Sequence, residues 1–239
     1  MKHRSPPKAV VFDFGGTIVA GNGFDDIRGN RRLLELCTSN PHDADEYRIK
    51  EEALRIDAEL MMPLRDNNLD FSIQLFQHLL YDGLQMKFSV DPQEMELEFW
   101  KSATDYRPMP DAATMLDSLR RMGISIGMLS NNAFSSETIR RELARHGLDV
   151  YFSFIVASSE YGICKPAKRI FDIAVAKTGC ARADVWYAGD IFAVDISGAH
   201  AAGLTPVWYN PQDKTPDADI GHISVRSWRE FIGIVCDEH

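Results

Sequence analysis

Beyond Arg107-Pro108-Met109-Pro110 the sequence settles into an alternation that restricts the fold more than any other feature. Two prolines in four residues stiffen the connection and stop a helix. Amphipathic stretches at 111–122, 135–146, 167–178 and 194–202 then alternate with short apolar runs at 124–129, 152–156, 184–188 and 205–208. A short strand near 222–225 and a helix over 227–235 close the pattern, and residues 8–14 read as one more buried strand, rich in Val and Phe. Strands separated by helices pair in parallel, because a parallel neighbour is reached only by a crossover. The sheet they build is covered on both faces, so its strands are apolar throughout. The fold class is therefore α/β. Ligands of such sheets sit at the carboxyl ends of the strands, and that is where chemistry is to be sought.

Four such positions carry polar groups. Asp13 leaves the first strand and enters Gly15-Gly16, and glycines let a ligand approach the backbone closely. Ser130-Asn131-Asn132 follow the run 124–129. Lys165-Pro166 opens the helix over 167–178. Gly189-Asp190 ends the run 184–188, with Asp195 five residues beyond. Each alone has an ordinary explanation: a strand-end Asp caps a turn, a Ser caps a helix, a Lys is solvated surface. Their order along the chain, one at each strand end, gives them joint meaning.

The stretch between the first strand and the double-proline boundary has another character. Residues 18–107 read as helical, with no strand pattern. Ala44, Tyr47, Leu54, Ala58 and Met61 mark one apolar face over 43–62, and Leu69, Ile73, Phe76 and Leu80 mark another over 69–81. Asp91-Pro92-Gln93-Glu94 is a helix start, with a capping Asp, Pro at the first position and Glu three residues after the cap. Helices that bury their faces against one another form a small bundle. The expected organisation is a core of residues 1–17 and 108–239 interrupted by a helical unit over 18–107. Its hinges fall near 18–24, where Gly21 and Gly23 loosen the chain, and near 104–110.

Charge and composition exclude several partners. Residues 19–107 carry 10 Lys/Arg against 18 Asp/Glu, most of the net charge of −9. Such a surface repels a nucleic-acid backbone. No apolar run approaches the ~20 residues of a membrane helix. Residues 1–7 lead straight into a strand and do not read as a secretory signal. Cys37, Cys164, Cys180 and Cys236 are scattered with no CxxC pair, which reads as free thiols in a reducing cytoplasm. Oligomeric state is not legible.

The strand-end residues, together with the flanking words PMPDAATMLDSLRRMGISIGMLSNN, KPAKRIFDIAVAKTG and VWYAGDIFAVDISGAHAAGLTPVWY, resemble the four motifs of the haloacid dehalogenase-like hydrolases. The resemblance covers the whole core and implies a Rossmann-like parallel sheet with an inserted α-helical cap domain of the C1 type. It implies that Asp13 attacks a phosphoryl group and forms an aspartyl-phosphate that water hydrolyses. Ser130 and Asn131 would bind the phosphoryl oxygens, and Lys165 would neutralise charge on nucleophile and phosphoryl group. Asp13, the backbone carbonyl of Gly15 and Asp190 would hold Mg2+. Asp195 would support that shell or orient Lys165, and Thr17 would help hold the loop. The substrate implied is a small phosphate ester.

One position departs from the pattern. The family motif is Asp-x-Asp-x-Thr, and its second aspartate, which protonates the leaving group and later activates water, is Gly15 here. Losing a general acid/base costs ~10²–10⁴ in rate. Three readings stay open: a phosphatase whose substrate has a good leaving group or whose proton comes from elsewhere, a catalytically silent ligand-binding protein, or dehalogenase or phosphonatase chemistry on the same nucleophile. His42 and His78 are candidates for the missing acid. Arg48, Lys50, Arg55, Arg65 and Arg107 are candidates for gripping a substrate anion.

Overall fold

In a computed structural model of the chain, residues 6–216 and 218–237 are described; the first five residues, part of the segment expected above not to be a secretory signal, lie outside them. Strand β1 (Ala9–Phe12) comes first. After it lie β2 (Val19–Phe24), α1 (Asp26–Glu35), β3 (Cys37–Ser39), α2 (Glu46–Ile56), α3 (Met62–Asp66), α4 (Ile73–Gly83), β4 (Lys87–Phe88), α5 (Pro92–Ala103) and β5 (Thr104–Pro108). The alternating half follows as α6 (Ala112–Arg121), β6 (Ser125–Ser130), α7 (Ser136–Ala144), β7 (Phe154–Ala157), α8 (Lys168–Thr178), β8 (Val185–Gly189), α9 (Ser197–Ala201), β9 (Thr205–Tyr209), β10 (Ile223–Val225) and α10 (Trp228–Asp237).

Six strands form one parallel sheet in the order β10-β9-β8-β1-β6-β7. β1 is fully buried because its two faces feed two layers. Val10 and Phe12 pack with Met115, Leu116, Trp228 and Phe231 of α6 and α10. Ala9 and Val11 pack with Ile170, Phe171 and Ala174 of α8. The chain leaves β1 for β6 on one side and later reaches β8 on the other, so β1 ends at the topological switch point of the sheet. Asp13, the next residue, projects from that end. Its neighbours are the ends of β6 and β8, where Ser130 and Asp190 lie.

Contrary to the expectation from its pattern, the inserted stretch is not wholly helical. β2 and β5 form an antiparallel ribbon where the hinges were placed, with Val19 opposite Pro108 and Gly21 opposite Tyr106. A side chain at Gly21 would come within 2.9 Å of the Tyr106 ring, so this pairing depends on glycine. Such glycine-rich strands carry little β signal. β3 and β4 make a second, smaller ribbon.

Helix phase also differs from expectation over 43–62. Tyr47, Leu54 and Ala58 are exposed, while Ile49, Ile56, Met61 and Ala44 are buried. Two apolar stripes compete there, and a π-helical turn over Asp57–Met61 adds a residue that rotates the face between α2 and α3. In the next helix Leu69 lies outside, paired with Ile163, because Ser72 caps α4 by accepting the Leu75 N–H. The expected start at Asp91 is found: its carboxylate accepts the Glu94 N–H at 2.9 Å, and Met95, Phe99 and Trp100 of α5 are buried. The run 194–202 is split into a π-turn over Phe192–Ile196 and the short α9. Among the described residues no helix is long and apolar enough to cross a membrane, and the four cysteines are free.

Candidate active site

Lys165 organises the site. Its ammonium donates to Asp13 Oδ1 at 2.7 Å, Asp195 Oδ1 at 2.6 Å and the Tyr187 hydroxyl at 2.8 Å. All three of its protons are thus placed, and the group is almost fully buried. Its backbone is clamped as well: Asn131 Oδ1 accepts the Lys165 N–H at 2.8 Å, and Asn131 Nδ2 donates to the Lys165 carbonyl at 2.9 Å. The β6 end thereby fixes the segment before α8. The side-chain amide of Asn131 is thus spent on Lys165, which leaves its backbone N–H for an anion.

Asp195 is equally committed. Its Oδ1 holds Lys165, and its Oδ2 accepts the Ile191 N–H at 2.9 Å. Gly189 allows this, since a Cβ there would lie 2.4 Å from the Asp195 carboxyl carbon. Asp190 accepts from the Thr17 hydroxyl at 3.3 Å, and its own carbonyl accepts from Trp208 Nε1 at 3.0 Å. Trp228 Nε1 donates to the Thr17 carbonyl at 3.0 Å and ties the loop after β1 to α10. Gly16, at φ +73°, packs so close to Asp190 that a Cβ would sit 2.4 Å from Oδ2. Both strain and space require glycine there.

Asp13, Asp190 and Asp195 each offer an oxygen, and these atoms lie within 4.8 Å of one another. Three carboxylates face one ammonium. Burial pushes Asp13 up to about 7 against the pull of Lys165, and Asp195 and Asp190 add to the rise. Burial, then repulsion from Asp195, raises Asp190. Burial opposes the charge on Lys165, but Asp13 and Asp195 outweigh it and hold the ammonium above its ordinary range. Burial and the same acids raise Tyr187 far above the ordinary phenol, so it stays protonated. Its proton goes to Asp195 Oδ1 at 3.1 Å or the Leu129 carbonyl at 3.2 Å. Sequence reading missed Tyr187. The available signal was a hydroxyl inside an apolar parallel strand, where a polar atom needs a partner.

The donor set fits a hard divalent cation. Asp195 is used up by Lys165 and Ile191, whereas Asp13 Oδ2 and Asp190 Oδ2 hold no protein donor among the described residues, and the Gly15 carbonyl accepts no hydrogen bond there. An all-oxygen set with uncompensated negative charge suits Mg2+.

These groups open on a cavity of about 240 Å³ lined by Asp13, Gly15, Tyr106, Ser130, Asn131 and Lys165. Tyr106 brings the β5 ribbon into the site. A second cavity, about 490 Å³, shares Asn131 and Lys165 with the first and adds Arg65, Asn68 and Asp70. Of the five basic residues considered for anion binding, Arg65 alone lines these cavities. Lys50 is held by Asp26, Arg55 by Glu52, Arg107 faces Asp105, and Arg48 donates to the His42 carbonyl. His42 and His78 are exposed and line neither cavity, so neither replaces the missing acid. At Gly15 a Cβ would meet nothing within 4 Å, and the backbone there is not left-handed.

Comparison with known proteins places this geometry in context. The family model of the haloacid dehalogenase-like hydrolases matches residues 7–203. The chain is 28% identical to the pyrimidine 5'-nucleotidase YjjG of Escherichia coli over 232 residues, 95% of this chain and 97% of that one. It is 27% identical to a glyceraldehyde 3-phosphate phosphatase of Methanothermobacter thermautotrophicus, covering 86% of each. Among solved structures, a 2-haloacid dehalogenase from Pseudomonas syringae superposes with a TM-score of 0.70 at 20% identity, over 98% of this chain and 100% of that chain. This last likeness concerns the fold alone.

Proposed function

We propose that this chain, which belongs to the haloacid dehalogenase-like hydrolase family, releases phosphate from a small phosphate ester through an aspartyl-phosphate on Asp13. The observation that supports it most is the Lys165 ammonium bridging Asp13 and Asp195 at the switch point of the sheet. In the first step the Asp13 carboxylate forms a bond to phosphorus and the ester oxygen departs with the bonding pair. In the second, water attacks phosphorus, the bond to Asp13 breaks, and phosphate leaves. Lys165 holds the carboxylate in place and offsets charge on the transferring group. Ser130 and the backbone N–H of Asn131 hold the phosphoryl oxygens. Asp195 and Tyr187 orient Lys165.

Asp13, Asp190 and the Gly15 carbonyl hold Mg2+ in this reading, with Thr17 steadying Asp190. Bound Mg2+ supplies neutralisation of the crowded carboxylates and of the phosphoryl group. Residues 18–107 act as the cap, moving on the β2–β5 ribbon and excluding water on closure. The open space beside Gly15 has room for a water that can carry the proton a side chain carries in the family motif. Aryl and acyl phosphates, whose leaving groups need little protonation, therefore react faster than alkyl esters.

Gly15 also supports a second reading, a catalytically silent protein that binds a phosphorylated ligand. Phosphate release from acyl, aryl and alkyl esters, among them nucleoside monophosphates and glyceraldehyde 3-phosphate, separates the two. Mg2+-dependent release that is abolished by Asp13→Asn supports hydrolysis. Silence across the panel, with ligand binding retained, supports the second reading.

A further inference from the structure

Between the inserted stretch and Ala133–Phe134 of the core lies a cavity of about 410 Å³ that has no role in the reaction described above. Such a volume matches small-molecule sites. Ile73, Phe76, Gln77, Leu80 and Tyr81 line it at helical spacing, so one face of α4 forms a wall with Gln77 at its centre. Phe24, Phe99 and Phe134 line it from other elements, with Phe99 and Phe134 stacked at an interplanar angle of 22°. Gln77 is 3% exposed, and neither its Nε2 nor its Oε1 meets a protein partner. Buried amides in proteins are satisfied, because leaving a donor and an acceptor unmade is costly. Other polar groups at the cavity are engaged: Asp26 with Lys50, and Asn30 with the Glu46 carbonyl. Asp57 and Arg65 complete the polar rim.

The cavity neighbours the reaction site. Arg65 lines both it and the cavity that holds Lys165 and Asn131. The Ile73 N–H donates to the Ala133 carbonyl at 2.8 Å, three residues past Ser130. Gln77 stands one helical turn from Ile73, about 6 Å along the axis. A ligand with phosphate at Asp13 and a ring against Gln77 would pass Arg65, which lines both the Gln77 cavity and the one beside Lys165.

We propose that Gln77 reads the leaving group: the cavity takes a planar lactam ring, the N–H beside C=O edge of a nucleobase, carried on a nucleoside monophosphate. The apolar aromatic walls suit the faces of a flat ring. A primary amide, with one acceptor and adjacent donors, complements a lactam edge in two parallel hydrogen bonds. A sugar phosphate lacks both features. This inference rests on the phosphatase reading only for the position of the phosphate, and Gln77 is a specificity residue in it.

Calorimetric titration of the full chain with Mg2+, turnover blocked by Asp13→Asn, tests it with UMP, GMP and ribose 5-phosphate. UMP or GMP is expected to bind tighter than ribose 5-phosphate by about tenfold or more, and Gln77→Leu to remove that advantage without weakening ribose 5-phosphate. Preference for UMP or for GMP tells which ring size fits, and either supports the assignment. Gln77→Leu should fold with an unchanged or higher melting temperature, and Gln77→Met serves if it does not. Equal binding of all three ligands, or a base preference that survives both substitutions, overturns the proposal. A base preference without phosphate release from any ester would remove the hydrolase reading and leave this one intact; release without base preference would do the reverse.

Discussion

Lys165 carries one positive charge among three carboxylates, and most of the site's behaviour follows from that ratio. Asp13, raised to about 7 by burial, holds its proton more tightly in the folded than in the unfolded chain. Its contribution to stability is full below the ordinary carboxylate range and is lost as pH rises through about 7. Metal-free protein should therefore lose stability between about pH 4 and pH 7, and Asp13→Asn should flatten that slope in chelator-treated melts. An unchanged slope would mean that Asp13 is not the source. Gly15 is the other decisive residue. Open space around it lets Gly15→Asp fold without strain. That change should raise turnover of alkyl phosphates by ~10²–10⁴ and of aryl phosphates much less, which a paired kcat comparison would show. Asp13, Ser130 and Asp190 could be read from sequence because each sits at a strand end, and Thr17, Lys165 and Asp195 because they follow in the loops and turns beyond strand ends. Tyr187 could not, since its hydroxyl lies within an apolar run and finds its partners only across the fold. The clamp that Asn131 puts on the Lys165 backbone was not legible either, because it spans 34 residues of chain.

Elements differ in how plainly the sequence states them. The parallel strands were legible because burial on both faces leaves unbroken apolar runs. The phase of α2 was not, since Tyr47 and Leu54 compete with Ile49 and Ile56, and the π-turn over Asp57–Met61 shifts the face. The β2–β5 ribbon escaped notice because Gly21 and Gly23 lower its strand signal. Two loop anchors carry predictions at this scale. Gly16→Ala forces a Cβ against Asp190 in a left-handed backbone, which should cost about 1–3 kcal/mol and weaken Mg2+ binding, read by melts with and without Mg2+. Asn131→Ala removes both hydrogen bonds to the Lys165 backbone and should cost about 1–3 kcal/mol. Because it loosens Lys165 rather than a ligand contact, the loss should fall on kcat more than on KM.

At the scale of the whole molecule, the sheet and the inserted stretch meet at the carboxylate cluster, where Tyr106 lines the cavity of Asp13 and Lys165. A divalent cation that binds only the folded chain should raise its melting temperature, with the gain growing as the logarithm of concentration over Kd. Asp190→Asn should remove that response while making the metal-free protein more stable, since it relieves repulsion from Asp195. The opposite sign in chelator would contradict the electrostatic account. The central claim, nucleophilic attack by Asp13, is tested most directly by rapid quench of the Mg2+-loaded protein with an aryl phosphate, followed by mass spectrometry of the peptide that holds residues 8–17. A phosphorylated Asp13 that forms and decays at the rate of phosphate release is the predicted result. Phosphate release at an undiminished rate from Asp13→Asn, with no adduct on that peptide, would contradict it.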